Sequence, residues 1–497
     1  MKRPLSSDAE WSFPLIKQYD KAISKVAQDY GLDTYSNQIE VISSQQMIDA
    51  YASFGMPMSY YHWSFGKKFV NVEKNYKRGQ MGLAYEMVIN SDPCIAYLME
   101  ENTMAMQALV IAHACYGHNS FFKNNYLFKL WTSADSIIDY LFFAKNYIAK
   151  CEQKYSVAAV EEVLDACHSL MNHGVNRYKR PAKLSLQEEK VKQENREQYL
   201  QSQVNRIWST IPQTDKLATT EKTKRFPEEP QENILYFLEK NAPLLHSWQR
   251  EIVRIVRKLA QYYYPQKQTK IMNEGWATFW HYVILNALYD DGLVTDEFML
   301  EVLQSHTNVI YQPPFDHPNF SGINPYTLGF KMMADIRRIC ENPTEEDKHW
   351  FPEQANTDWK KSLDFAMRNF KDESFIAQYL SPHLIRELKL FSLLDDDKQD
   401  DLLVTAIHNE HGYQSIREKL SKQFSLAFTE PDIQVYNVNV KGDRVLTLRH
   451  MQHDRRSLGD TTNDVLRHLH RLWRFPVCVE TISPSGETKG QQRYPED

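Results

Sequence analysis

The chain has few cysteines and no spacing that suggests pairs: Cys94, Cys115, Cys151, Cys167, Cys340 and Cys478 are scattered through 497 residues without a CxxC motif. No disulfide framework can be read from such spacing, and a reducing compartment is the simplest inference. Long apolar runs are missing too. Nothing approaches the roughly 18 residues of a membrane span, and the first ten residues, although they include Lys2 and Arg3, lack the apolar stretch of a secretory signal. A cytoplasmic protein without membrane insertion is expected. Neither sign of charge dominates, since 64 acids against 58 bases leave a net charge of −6. A surface so mixed argues against a nucleic-acid field over the whole chain. What the chain does have is a large stock of apolar side chains, 42% of residues, which suffices for a substantial core. Its length suggests about three domains.

Two segments about 160 residues apart carry the chemistry: HACYGH at 113–118 and NEGWATFWH at 273–281. His113, His118 and Glu274 are the ligand types from which a hydrolytic zinc site is built, with one position left open so that the metal acidifies a bound water. His281 lies two helical turns beyond Glu274, on nearly the same face, as a fourth ligand or a supporting group. Without a metal, the same residues would read as core histidines with Glu274 as their ion partner.

The stretch AHxxxxHxxFFxNN followed by NEGWATF resembles the helix pair of the gluzincin metallopeptidases, and a zincin-like helical core is what that resemblance implies. Two departures matter. Five residues separate the histidines rather than four, which on a regular helix turns them about 140° apart. A π-bulge, eased by Gly117, would bring positions i and i+5 back into line. The glutamate that serves the peptidases as general base is here Ala114, so a base must come from elsewhere, with Glu100 and Glu101 nearest in sequence.

Around these motifs the apolar spacing predicts helices over 12–30, 44–54, 64–78, 103–118 and 157–172, and a strand over Leu83–Asn90, either an ordinary short hairpin strand or an edge that pairs with an extended substrate. On the helix at 157–172, Glu161, Asp165 and His168 share a face, either a further ligand set or simply solvated. Residues 1–180 thus form an N-terminal helical segment, 181–230 a charged and then flexible linker inserted within one domain, and 231–385 a second helical segment. In that second segment a helix from Trp248 ends at Tyr262–Pro265, the Glu274 helix follows, and His317 sits on a turn-rich loop able to cover a site. Residues 386–497 read as ββαββαβ, a small, mostly antiparallel α+β interaction domain. Its helix carries Arg467, His468, His470, Arg471 and Arg474, a basic face fit for an acidic partner or for solvent. The fold class expected is mainly α with a C-terminal α+β domain.

WSFGKKF at 63–69, NSDPCIAYLMEEN at 90–102, AHACYGHNSFFKNN at 112–125, MNEGWATFWH at 272–281, INPYTLGF at 323–330 and KDESFIAQYL at 371–380 together resemble the stage V sporulation protein R (SpoVR) family over nearly the whole chain. The similarity is to its long bacterial form, found in bacteria that do not sporulate. Relatives of that kind imply a stress or stationary-phase role, alongside the spore-cortex role of the family's name. They also imply a PrkA-type serine protein kinase and a YeaH/YhbH-type protein as partners. A zinc-dependent hydrolase of an amide-type bond and a non-catalytic adaptor for that kinase are the two functions to be weighed.

Overall fold

The structure, a computed structural model, describes residues 4–6, 9–53, 56, 59–78, 86–177, 226, 227, 229–318, 320–394, 403–406, 408–453 and 457–495. Most of the linker expected at 181–230, and residues 83–85 of the expected strand, lie outside them. The chain is mainly helical with a small mixed sheet near its C-terminus. No helix among the described residues is long and apolar enough to cross a membrane.

Two compact units emerge. The first joins Met1–Glu162 to Leu259–Glu430, and the second joins Val163–Lys258 to Pro431–Asp497. Residues 386–430 therefore pack with the helical unit. The strands Ser392–Leu394 and Leu403–Ala406 pair only with each other, apart from the four-stranded sheet.

The first unit begins with α1 (Phe13–Asp29), where Ser12 accepts a hydrogen bond from the Leu15 N–H and Ile16, Tyr19, Ile23 and Ala27 form one buried stripe. Three strands follow: β1 (Asn37–Ile42), β2 (Glu86–Ile89) and β3 (Cys94–Met99), in the order β1-β3-β2. The central strand β3 is buried throughout, parallel to β1 and antiparallel to β2. Neither β1 nor β3 was expected from the sequence. On the edge strand β2, Met87 and Ile89 are buried, and Glu86 points the opposite way.

The core then runs through α2 (Met104–Ile111), its π-helical continuation Ala112–His118, α3 (Lys270–Asp290), α4 (Asp296–Val309), α5 (Pro325–Glu341) and α6 (Asp372–Tyr379). Three glycines let these helices approach closely. A Cβ at Gly117 would lie 2.5 Å from the Ala277 Cα, one at Gly275 would collide with the Gly329 backbone, and one at Gly329 would meet the Ile271 carbonyl oxygen. The helix Ser247–Gln268 continues past the expected stop, with Pro265 inside it. Tyr262 and Tyr264 are buried, and that burial outweighs the local penalty of proline.

Beyond α5, Arg338 donates two bonds to Asp347, from Nη1 at 2.6 Å and Nη2 at 2.9 Å, and Thr344 adds a capping box. Burial pushes the Asp347 carboxyl up, but Arg338 and Thr344 outweigh it and hold it at about 2, below the ordinary 3.8. A depressed carboxylate contributes stability that is complete above its unfolded pKa and is lost as pH falls through the folded one. Acidification from pH 4 to below pH 2 should therefore remove about 2 kcal/mol through this residue. Urea unfolding compared with Asp347→Asn checks it, because the variant should show a shallower loss over that window.

In the second unit the strands β4 (Asp432–Val438), β5 (Leu446–Met451), β6 (Val477–Ile482) and β7 (Thr488–Tyr494) lie in chain order. The outer pairs are antiparallel and the central pair β5–β6 is parallel, because α7 (Thr462–Trp473) intervenes between those two strands. The sheet is thus more mixed than expected, with β7 an added strand. Leu466, Leu469, Leu472 and Trp473 of α7 are buried, and Arg467 pairs with Asp464 on the same helix.

Candidate metal centre

The site is assembled on the π-helical segment. Ala112–His118 is π-helical and the Asn119 N–H bonds to the Ala114 carbonyl, so positions five apart share a direction. The rings of His113 and His118 consequently meet edge to face, with centroids 4.6 Å apart. Ser120 satisfies carbonyls of the widened turn, donating to Tyr116 O at 2.6 Å and lying 2.9 Å from Gly117 O, while it accepts from Trp276 Nε1 on α3 at 2.9 Å. The widening is therefore braced by the partner helix.

Two carboxylates close on the imidazoles. Glu274 Oε2, from α3, lies 3.8 Å from His113 Nε2 and 3.6 Å from His118 Nε2. Glu86 Oε1, from the edge strand β2, lies 3.3 Å from His113 Nε2 and 3.6 Å from His118 Nε2. Among the described residues, Glu86, His113 and His118 form the one group of three such donors whose ligand atoms all fall within 4.8 Å of one another. Donors about 2.1 Å from a tetrahedral zinc stand about 3.4 Å apart. The four imidazole–carboxylate spacings need to change by only a few tenths of an ångström to reach it.

Hydrogen bonds at the far side of each ring decide what the near side can hold. His118 Nδ1 is 2.9 Å from Asn273 Oδ1, and His113 Nδ1 is 2.9 Å from His281 Nδ1. With Nδ1 of His118 donating, a neutral ring turns the Nε2 lone pair toward two carboxylates. That contact is repulsive unless a proton or a metal cation sits between them. Burial lowers the affinity of His118 for a proton, yet Glu86 and Glu274 outweigh it and raise its pKa to about 9. For Glu274, burial works upward while His113 and His118 pull its carboxyl below the ordinary range. A second orphan points the same way, since Glu86 Oε2 is buried with no hydrogen-bond partner. The residues present fit a divalent cation.

Further groups position the centre. The phenol of Tyr326, at the start of α5, hydrogen-bonds Glu274, and burial followed by the Glu274 and Glu86 charges raises its pKa. Asp372 accepts from the Ile271 and Met272 N–H groups at 2.9 Å each, capping the helix that carries Glu274. Its carboxyl is pushed up to about 7 by burial. His118 stacks on Phe122, with centroids 5.8 Å apart.

Of the residues expected from sequence, His113, His118 and Glu274 converge. His281 does not join them as a ligand or orient the carboxylate. Its Nδ1 meets His113 and its Nε2 meets His306 Nδ1 at 2.9 Å, so both ring nitrogens are occupied. Glu100 and Glu101 are exposed beyond the end of β3. The side chain of Glu101 accepts from Ser44 N instead, at 3.2 Å. A base role for either is corrected on that ground. His317 is likewise exposed. Glu161, Asp165 and His168 form no ligand group among the described residues. Sequence reasoning missed Glu86, Tyr326, Asp372 and His306. Glu86 had a readable signal, a lone carboxylate in the strand-like run Leu83–Asn90.

This fold and site define a mainly helical protein with a centre of two buried imidazoles and two half-buried carboxylates. The chain belongs to the SpoVR family: the family model described as "SpoVR like protein" matches residues 10–429, and "SpoVR-like C-terminal domain" matches 431–484. It is similar to a protein of Escherichia coli (strain K12) called "Uncharacterized protein YcgB", with 61% identity over 491 residues, 99% of this chain and 96% of that one. No solved structure matches it.

Proposed function

We propose that the protein is a metal-dependent, gluzincin-like hydrolase of an amide-type bond, with zinc held by His113 Nε2, His118 Nε2, Glu274 and one oxygen of Glu86 in a five-coordinate arrangement whose remaining position is open to water. The observation that carries this reading is the double approach of two carboxylates to imidazole nitrogens whose opposite nitrogens are already engaged. A divalent cation bound there supplies Lewis acidity, polarising a carbonyl and bringing a water toward neutral pKa. Glu86 takes the place left by Ala114, because its Oε2 has no other hydrogen-bond partner and is the acceptor available for a proton. Tyr326 holds the Glu274 carboxylate in place. A cytoplasmic setting and a link to stress or cell-wall and spore-cortex physiology belong to this proposal through the family.

The second reading is a regulatory adaptor for a PrkA-type serine kinase and a YeaH/YhbH-type protein, and Ala114 in place of the peptidase base favours it. Metal analysis and a panel of amide substrates separate the two. Purified protein should carry one equivalent of divalent cation per chain, and a chelator should remove both the metal and the hydrolysis. Metal-free protein of unchanged stability overturns the metal reading. Loaded protein inert toward the whole panel favours the adaptor.

A further inference from the structure

His113, His281 and His306 form an unbroken line of imidazoles, with 2.9 Å between His113 Nδ1 and His281 Nδ1 and 2.9 Å between His281 Nε2 and His306 Nδ1. All three are buried and they come from three elements, the π-helical segment, α3 and α4. The far end is packed by aromatics, with the His306 ring centroid 4.8 Å from those of both Tyr282 and Phe330. A neutral imidazole has one donor and one acceptor nitrogen, so each contact in such a line has a direction, and the directions are coupled.

Resting on the metal reading above, we propose that His281 and His306 are positioning residues that hold His113 in the metal-binding tautomer, and that the hydrogen-bond direction of the line reverses with metal occupancy. When Nε2 of His113 faces a cation, its proton must sit on Nδ1 and is donated to His281 Nδ1. His281 then carries its proton on Nε2 and donates to His306 Nδ1, which leaves the His306 proton on its own Nε2. Without the cation, the Glu86 and Glu274 carboxylates draw the His113 proton to Nε2. His113 Nδ1 becomes an acceptor, His281 donates from Nδ1, and His306 donates from Nδ1 to His281 Nε2. No proton is gained or lost along the line. Each ring changes tautomer, and α4 is coupled to the centre through side chains that never touch the metal.

The test uses the full chain labelled with 15N-histidine, read by two-bond NMR correlations with and without one equivalent of Zn2+. Reversal predicts that the protonated nitrogen of His281 moves from Nδ1 to Nε2 on loading, and that of His306 likewise. His306→Phe removes the terminal acceptor and should weaken Zn2+ binding ~10-fold or more, the range for a lost outer partner. His306→Gln keeps an acceptor oxygen and should restore affinity to within ~3-fold of the parent. Tautomers that are the same in both states, or equal Zn2+ affinity in folded His306→Phe and the parent, overturn the relay while leaving the metal centre standing. A parent chain that binds no Zn2+ overturns both.

Discussion

In Glu86→Gln, Zn2+ affinity is expected to fall by at least ~100-fold while the fold is retained. Outer-shell partners of metal ligands are worth ~10–100-fold in affinity, which sets a lower bound for a residue that touches the ion itself. The change is nearly isosteric and leaves the backbone pairing of β2 with β3 unaltered, so any loss reports on charge. Two carboxylates balance a divalent cation; in the variant only Glu274 remains, and an anionic oxygen 3.3 Å and 3.6 Å from the imidazoles is lost with Glu86 Oε1. Competition against a chromogenic chelator measures the effect. In the parent, loading at pH 7 should also release about one proton, because His118 binds a proton up to about 9 when no metal is present. Unchanged affinity in the variant would remove Glu86 from the ligand set and leave it only a base.

Gly329→Ala is expected to cost about 3 kcal/mol or more, the upper range for overpacking. The added Cβ would collide with Ile271 O, and it would lie 2.7 Å from Gly275 Cα and 3.0 Å from Gly275 N. These are backbone atoms of one helix, so no side chain can swing aside; α3 and α5 must separate. Since Glu274 adjoins Gly275, metal affinity should fall together with the denaturation midpoint. Gly66→Ala is the control. It lies in the helix Trp63–Lys77 with nothing within 4 Å of an added Cβ, and should be neutral or stabilising by up to ~1 kcal/mol. A Gly329→Ala protein that unfolds with the parent would show that the helices have room to spare.

The helical half of the site was legible because periodicity and ligand chemistry are local. Five-residue spacing between His113 and His118 demanded a widened turn, and the π-helix over Ala112–His118 supplies it. NEGWATFWH placed Glu274 and His281 on one helix, but whether His281 reaches the ion depended on where His113 and His306 would stand. The motifs INPYTLGF and KDESFIAQYL marked the family without revealing their work. In the fold they deliver Tyr326 and Gly329 to α3 and Asp372 to its first turn. Nothing in their spacing could announce this, since each acts on a helix far away along the chain. Glu100 and Glu101 lie apart from the centre for the converse reason: closeness in sequence to His113 is not closeness in space, and β3 carries them away to an exposed end.

Alone, the amino-acid order determined that this is a mainly helical chain with no disulfide framework, that two histidines need an i+5 turn to cooperate, and that Glu274 is their partner. Only the tertiary structure decided that an edge strand brings Glu86 to the same point, that His281 turns both nitrogens to other histidines, and that three glycines let the helices close. The physical reason is range. Helix period and turn chemistry act over a few residues, whereas this centre needs the carboxylates of Glu86 and Glu274 brought within 3.8 Å of the imidazoles of His113 and His118, and that gathering is the work of packing.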